Sequence, residues 1–377
     1  MLSAFDPTCL HFRGDVPCKP HKQHGVHCDV CPHRIERLGR ILIIKLGATG
    51  DVIRTTPLLR TMMEQYPQHE IWWITQSPDV LPSAVHKRLP FDAASMSVVA
   101  ATSFDIAINL DKDPPACVLM HQVTAITKFG FTWNDGVPAP LNDYAVPKFT
   151  TGLFDDVNKA NTLSYPQEIF AICGMEWSGE EYLFDTPSVA PMQIPANAGP
   201  VIGLNTGCGD RWLAREWPAN AWVDLIRMLQ QAGMYPVLLG GPAEHARNTD
   251  FANATGAAYA GVNPYRTFFG IVNQCDVVVT TVTMAMHAAI GLRKPVVLFN
   301  NIFNRNEFEL YGRGELVEPP RPCECFFQHA CTSPLGHCMT EITPDVVFAA
   351  VQRSLTPGPS PQVERGAHLT PGPSPQV

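Results

Sequence analysis

The sequence has no apolar run approaching the roughly 18 residues that a membrane-crossing helix needs, so no spanning helix is expected. Its start, Met1 to Asp6, lacks a basic cluster followed by an apolar stretch, which predicts no secretory signal. Positive charge is scarce: 27 Lys and Arg stand against 35 Asp and Glu, for a formal net charge of -8. Covering a phosphate backbone needs a basic surface, so general nucleic-acid binding is excluded and any phosphate contact should be local. Two phosphate-loop signatures are also missing. There is no P-loop ending in Gly-Lys-Ser/Thr, and no G-x-G-x-x-G with an acidic residue about 20 positions on, which argues against a dinucleotide-dependent oxidoreductase.

What is present is a long, globular composition. With 377 residues, 45% of them hydrophobic and 16% charged, the chain is expected to bury two cores. Twelve cysteines are too thinly spread over such a chain for a small disulfide scaffold, and eight of them form two groups near the ends. In the cytosol, the expected location, such groups read as metal sites.

Residues 1–39 form a Cys/His-rich appendage with little apolar periodicity. Residues 40–186 alternate strands and helices: Ile41 to Leu46 is a strand, Pro57 opens a helix that Tyr66-Pro67 stops, and Glu70 to Thr75 and Phe104 to Leu110 are later strands. Residues 187–200 are a proline-rich linker. Residues 201–354 repeat the α/β pattern, with strands at Val201 to Asn205, Pro236 to Leu239, Asp276 to Thr280 and Pro295 to Phe299, and a helix at Ala221 to Gln231. Residues 355–377 carry LTPGPSPQV twice and are expected to be a disordered tail.

Three loops follow strands, where open α/β sheets place ligands. Lys45-Leu46-Gly47-Ala48-Thr49-Gly50-Asp51 lets the backbone approach a ligand; its plainer reading is a turn with Asp51 as a helix cap. Asn205-Thr206-Gly207-Cys208-Gly209, followed by Arg211 and Arg215, suits a phosphate held by backbone amides and a guanidinium. Gly240-Gly241-Pro242-Ala243-Glu244 offers a carboxylate for ribose hydroxyls. Asp111-Lys112-Asp113 resembles a metal-binding D-x-D and is read as a solvated loop.

Taken in order, these elements resemble glycosyltransferase family 9, the ADP-heptose:lipopolysaccharide heptosyltransferases. ILIIKLGATGDVIRTTPLLRTMMEQYP (41–67) is similar to that family's opening. The NTG loop, R-x-W-P, GG-x-x-E and Thr283-Met284-Ala285-Met286-His287 then follow in its order, so that the likeness spans roughly residues 40–350. The resemblance implies an α/β GT-B fold of two Rossmann-like domains facing across a cleft, acceptor on the first and nucleotide sugar on the second. It implies metal-independent transfer with inversion, from a donor such as ADP-heptose to a lipopolysaccharide-type or other glycan, lipid-linked glycans included, with any membrane association peripheral at the cytoplasmic face of the inner membrane. Asp51 would be the general base beside an acceptor-side loop of Gly47, Thr49 and Gly50. Thr206, Gly207, Arg215, Glu244, Thr283, Met286 and His287 would bind the donor, Arg215 standing where the family usually has a lysine. Val282 departs from the family, many members having an acidic residue near that point. A nucleotide-sugar-binding module without transferase activity is the alternative.

Cys9, Cys18, Cys28 and Cys31 include one C-x2-C pair, and Cys323, Cys325, Cys331 and Cys338 are irregularly spaced. Both groups are read as structural metal sites, zinc first and an iron-sulfur cluster second, with no cofactor required for transfer. Cys117, Cys173, Cys208 and Cys275 are expected to be ordinary buried residues.

Overall fold

The computed structural model describes residues 5–188, 190–209 and 211–356. Residues 357–377, nearly all of the repeated tail, lie outside them. Among the described residues, no helix is long and apolar enough to cross a membrane.

The first sheet contains β1 (Gly39–Ile44), β2 (His69–Thr75), β3 (Lys87–Pro90), β4 (Ser103–Asn109), β5 (Thr124–Asn134) and β6 (Val137–Pro140). Its order is β3-β2-β1-β4-β5-β6, with only β6 antiparallel to its neighbour. The second contains β7 (Val201–Asn205), β8 (Tyr235–Leu239), β9 (Ala258–Tyr259), β10 (Val277–Thr281), β11 (Val296–Phe299) and β12 (Gly314–Val317). Read from β9, its order is β9-β8-β7-β10-β11-β12, all parallel. Counted from its own first strand, each sheet therefore has the order 3-2-1-4-5-6 of a doubly wound nucleotide-binding fold.

Continuous apolar runs are needed because both faces of each sheet are covered. Ile41 and Ile43 enter one apolar cluster while Leu42 and Ile44 enter another. In the second sheet Val278 faces one cluster, and Val277 and Val279 face the other. One cluster is shared by both domains: it runs from Ile41 and Leu59 to Met286 and Leu298. The helix Pro57–Gln65 has proline in its first turn, where the missing amide proton costs nothing, and turns Leu58, Leu59 and Met62 into that cluster.

The appendage contains a short helix, Lys19–His24, and a bridge between Cys9 and Glu36. Its four cysteines line one cavity of about 20 Å³, together with His11 and His27 among others. All twelve cysteines are free, and Cys117, Cys173, Cys208 and Cys275 are buried as expected.

The Asp111-Lys112-Asp113 reading needs correction. Asp111 is buried, pairs with the Lys45 ammonium and accepts the Leu46 amide, so it is neither solvated nor free for a metal. A lysine drawn inside by the strand end requires that counter-charge.

Candidate active site

The first loop leaves β1 and turns at once into the helix Thr49–Arg54. Asp51 occupies its first turn and does two things. One carboxylate oxygen accepts the Ala48 amide at 3.3 Å, capping the helix, and the other lies 2.8 Å from Arg54 Nε. The Asp51 side chain keeps 32% of its surface exposed, so the capped carboxylate still faces the cleft. Burial pushes its carboxyl up, but Arg54 and Lys45 outweigh burial and hold it at about 2. It is ionised throughout the physiological range.

Arg54 was not anticipated from sequence. Its second guanidinium nitrogen reaches Glu307 of the other domain at 2.8 Å, and its plane covers the Tyr165 ring at 3.6 Å. Its Nε contacts Asp51 by charge rather than by an aligned hydrogen bond, since that N–H finds no acceptor. A position three residues after Asp51 on a helix was the available signal. Glu307 and Tyr165, more than a hundred residues away, left none.

From the second domain, the helix Met284–Gly291 brings His287 against this loop. A Cβ placed on Gly50 would stand 2.6 Å from His287 Cδ2, so only glycine permits the approach. His287 Nδ1 lies 3.1 Å from the Tyr182 hydroxyl. Burial, then Arg54, pulls the imidazole down to about 3, so it is neutral. Burial raises Tyr182, which keeps its proton. A tyrosine hydroxyl donating to Nδ1 leaves the other imidazole nitrogen carrying the proton as a donor.

Arg215 is buried at 4% exposure, and no carboxylate pairs with it among the described residues. Its guanidinium donates to the carbonyls of Val282 and Cys208, while its Nε has no partner. Burial alone lowers it to about 10, still a cation at neutral pH. A buried charge met by two carbonyls and the face of the Phe303 ring, with no carboxylate among the described residues, is poised for an anion. Arg215 thus joins the loop after β7 to the segment that leads into His287.

The remaining predicted donor residues serve mainly to set these loops. The Thr206 hydroxyl donates to Asn248, whose amide donates to Leu239 O at 3.1 Å. A Cβ on Gly207 would meet the Glu244 carboxylate at 2.0 Å, and the other Glu244 oxygen accepts the Gly241 amide at 2.8 Å. Glu244 is therefore engaged within the protein. Asn248, four residues after Glu244 on the next helix, was missed. The Thr283 hydroxyl accepts from Asn205 Nδ2 at 3.2 Å at the start of the His287 helix, which it leaves without a side-chain cap bond, and the Met286 side chain is in the core. On the acceptor side, Gly47 backs onto Gln76, and Thr49 lies 2.9 Å from the Ser77 hydroxyl and 3.4 Å from the Tyr265 hydroxyl across the cleft. A separate cavity of about 550 Å³, lined by Glu216, Arg247, Cys331 and His337 among others, contains none of the predicted donor residues.

Two doubly wound domains, with a carboxylate on one and a histidine and a buried guanidinium on the other, have the GT-B architecture. More specifically, the chain belongs to glycosyltransferase family 9 (heptosyltransferase), whose family model matches residues 96–302. Its fold is similar to that of a family 9 glycosyl transferase from Veillonella parvula, at 16% identity and a TM-score of 0.64, covering 84% of this chain and 97% of that one. It is also similar to the E. coli ADP-heptose lps heptosyltransferase II, at 17% identity and 0.61, covering 84% and 98%. The iron-containing dodecameric glycosyltransferase TibC of enterotoxigenic E. coli shares it at 13% identity and 0.51, covering 84% and 78%. No curated protein matches the chain.

Proposed function

We propose that this glycosyltransferase moves heptose or a related sugar, with inversion and without a metal at the reacting centre. The donor is a nucleotide diphosphate sugar such as ADP-heptose. The acceptor is a hydroxyl of a lipopolysaccharide-type or other glycan, met in the cytoplasm or at the cytoplasmic face of the inner membrane. The observation that supports this reading is the seating of Gly50 directly on His287, with Asp51 the next residue on the same helix.

In the transfer, the acceptor oxygen attacks the anomeric carbon from the face opposite the leaving diphosphate. Its proton passes to Asp51 as the bond from the sugar to the diphosphate breaks. Arg215 and the N–H of neutral His287 stabilise the charge that the diphosphate gains. A carboxylate held near 2 is a weak base. An acceptor hydroxyl that displaces the misaligned Arg54 contact leaves Arg54 to Glu307 and strengthens Asp51 as it dries the site. Glu244 and Met286 act by shaping loops, and Thr206 through its backbone.

A panel of nucleotide sugars, read by release of nucleotide diphosphate and by the anomeric configuration of the product, tests the reading. One donor should turn over with inversion; release from none, or a retained configuration, would contradict it. For the N-terminal cysteines, which line one cavity although their side chains do not group as three ligands, we propose a structural metal, zinc ahead of an iron-sulfur cluster. A Cys28→Ser, Cys31→Ser variant with unchanged metal content would refute that location.

A further inference from the structure

The long connection between β12 and the last helix, Pro344–Leu355, buries Cys325, Cys338 and Met339 while much of the rest is exposed. Four cysteines gather in it. Cys325 Sγ lies 3.7 Å from Cys331 Sγ, and the amide nitrogen of Asn301 lies 4.0 Å from Cys323 Sγ and 3.5 Å from Cys338 Sγ. Two backbone amides point at sulfur: Cys325 N–H donates to Cys323 Sγ at 3.4 Å, and Thr332 N–H to Cys325 Sγ at 3.2 Å.

A disulfide holds its sulfurs about 2 Å apart, whereas four bonds of about 2.3 Å directed tetrahedrally hold them about 3.8 Å apart. The 3.7 Å separation matches the second, although two thiols in simple contact would also satisfy it. What favours an ion is the convergence of four free cysteines in one loop with N–H donors turned toward them. A thiolate accepts such hydrogen bonds more strongly than a thiol, so these donors would support sulfurs bound to an ion. The described side chains do not form a closed cage of three ligands: Cys325 with Cys331, and Cys323 with Cys338, stand as two adjoining pairs. One ion between them would draw the pairs together.

We propose that Cys323, Cys325, Cys331 and Cys338 bind a single thiophilic divalent ion, zinc or ferrous iron, and that this knot holds the turn carrying Arg215. Each coordinating thiol releases its proton to solvent, and no oxidation is involved. The link to Arg215 is covalently short. Ala214 N–H donates to His329 O at 2.9 Å, within the loop that the cysteines close. Ala214 O accepts from Asn301 at 2.7 Å and lies 3.0 Å from His337 Nε2. The Trp212 ring stacks on His329 at 4.8 Å. Asn301 therefore touches both the sulfurs and the residue before Arg215. The ion is a positioning element, remote from the transferred sugar. This second part rests on the reading of Arg215 as a diphosphate residue; the first does not.

The test is metal analysis of the full chain purified without oxygen, wild type beside Cys28→Ser, Cys31→Ser and Cys325→Ser, Cys331→Ser. The proposal expects one ion at these cysteines in addition to the metal of the N-terminal group: the first variant loses the N-terminal metal and keeps this ion, and the second loses this ion; elemental analysis tells zinc from iron. Cys331→His, which keeps a ligand, guards against a folding artefact and should retain the ion. Unchanged metal in Cys325→Ser, Cys331→Ser would overturn the proposal, as would a wild-type mass showing disulfides at these cysteines. Removal of the ion should weaken binding of ADP, the probe nucleotide, about tenfold. Metal present but without effect on ADP binding overturns the positioning role. If Arg215→Ala itself leaves ADP binding unchanged, the donor reading falls and the ion assignment stands.

Discussion

Gly50 of the first domain has His287 of the second where a side chain would be, with only 2.6 Å between an added Cβ and the imidazole carbon. His287 cannot readily withdraw, because it is buried and held by Tyr182. The two domains therefore meet through a glycine at the proposed reaction centre. Gly50→Ala should wedge them apart, reducing kcat by about tenfold or more while the separate cores remain folded. Steady-state kinetics beside a thermal melt checks this; full activity would show that the domains need not meet so closely.

Arg54→Gln removes the nearest positive charge from Asp51 and lets its carboxyl rise from about 2 toward the usual carboxylate range. The acid limb of the kcat/KM profile should move to higher pH in this variant. An unchanged acid limb would remove Arg54 as the group that sets Asp51.

For Arg215, the donor diphosphate supplies the counter-charge that the folded protein lacks among its described residues. Arg215→Ala should raise the donor KM and lower kcat together, and Arg215→Lys should recover much of the loss. Kinetics of the two variants at fixed acceptor reads this directly. Arg211 is the next candidate if alanine changes neither.

His287 also predicts a pH effect on stability. Its folded pKa of about 3 lies below the ordinary histidine value, so the unfolded chain takes up a proton first as pH falls. Its contribution is complete above about 6.5 and is lost as pH falls toward 3, at up to about 1.4 kcal/mol per pH unit. Denaturant titrations of His287→Asn should show a flatter dependence across that window than the wild type.

Much of the fold was legible because local chemistry determined it. Val201–Asn205 is a strand in both readings, and Pro57 starts its helix where proline saves an unmade hydrogen bond. The ordered motifs also led to Asp51 and His287 on opposite sides of one cleft. Partners distant in sequence were not legible. Lys45 and Asp111 pair across adjacent strands, Arg54 reaches Glu307, and Tyr182 reaches His287, none at a spacing that a local pattern reveals. Asp111 was misread for the same reason: the lysine that buries it sits 66 residues earlier. Motif position likewise could not tell that Glu244 and the Met286 side chain face inward.

The central claim is that Asp51 removes the acceptor proton, and Asp51→Asn tests it most directly. The amide preserves the shape and can still cap the Thr49–Arg54 helix, while the proton acceptor is gone. With the donor identified by the nucleotide-sugar panel, the account predicts a loss of transfer of roughly 100- to 10,000-fold, with donor binding and melting temperature little changed. Transfer at the wild-type rate by a folded Asp51→Asn protein would contradict it.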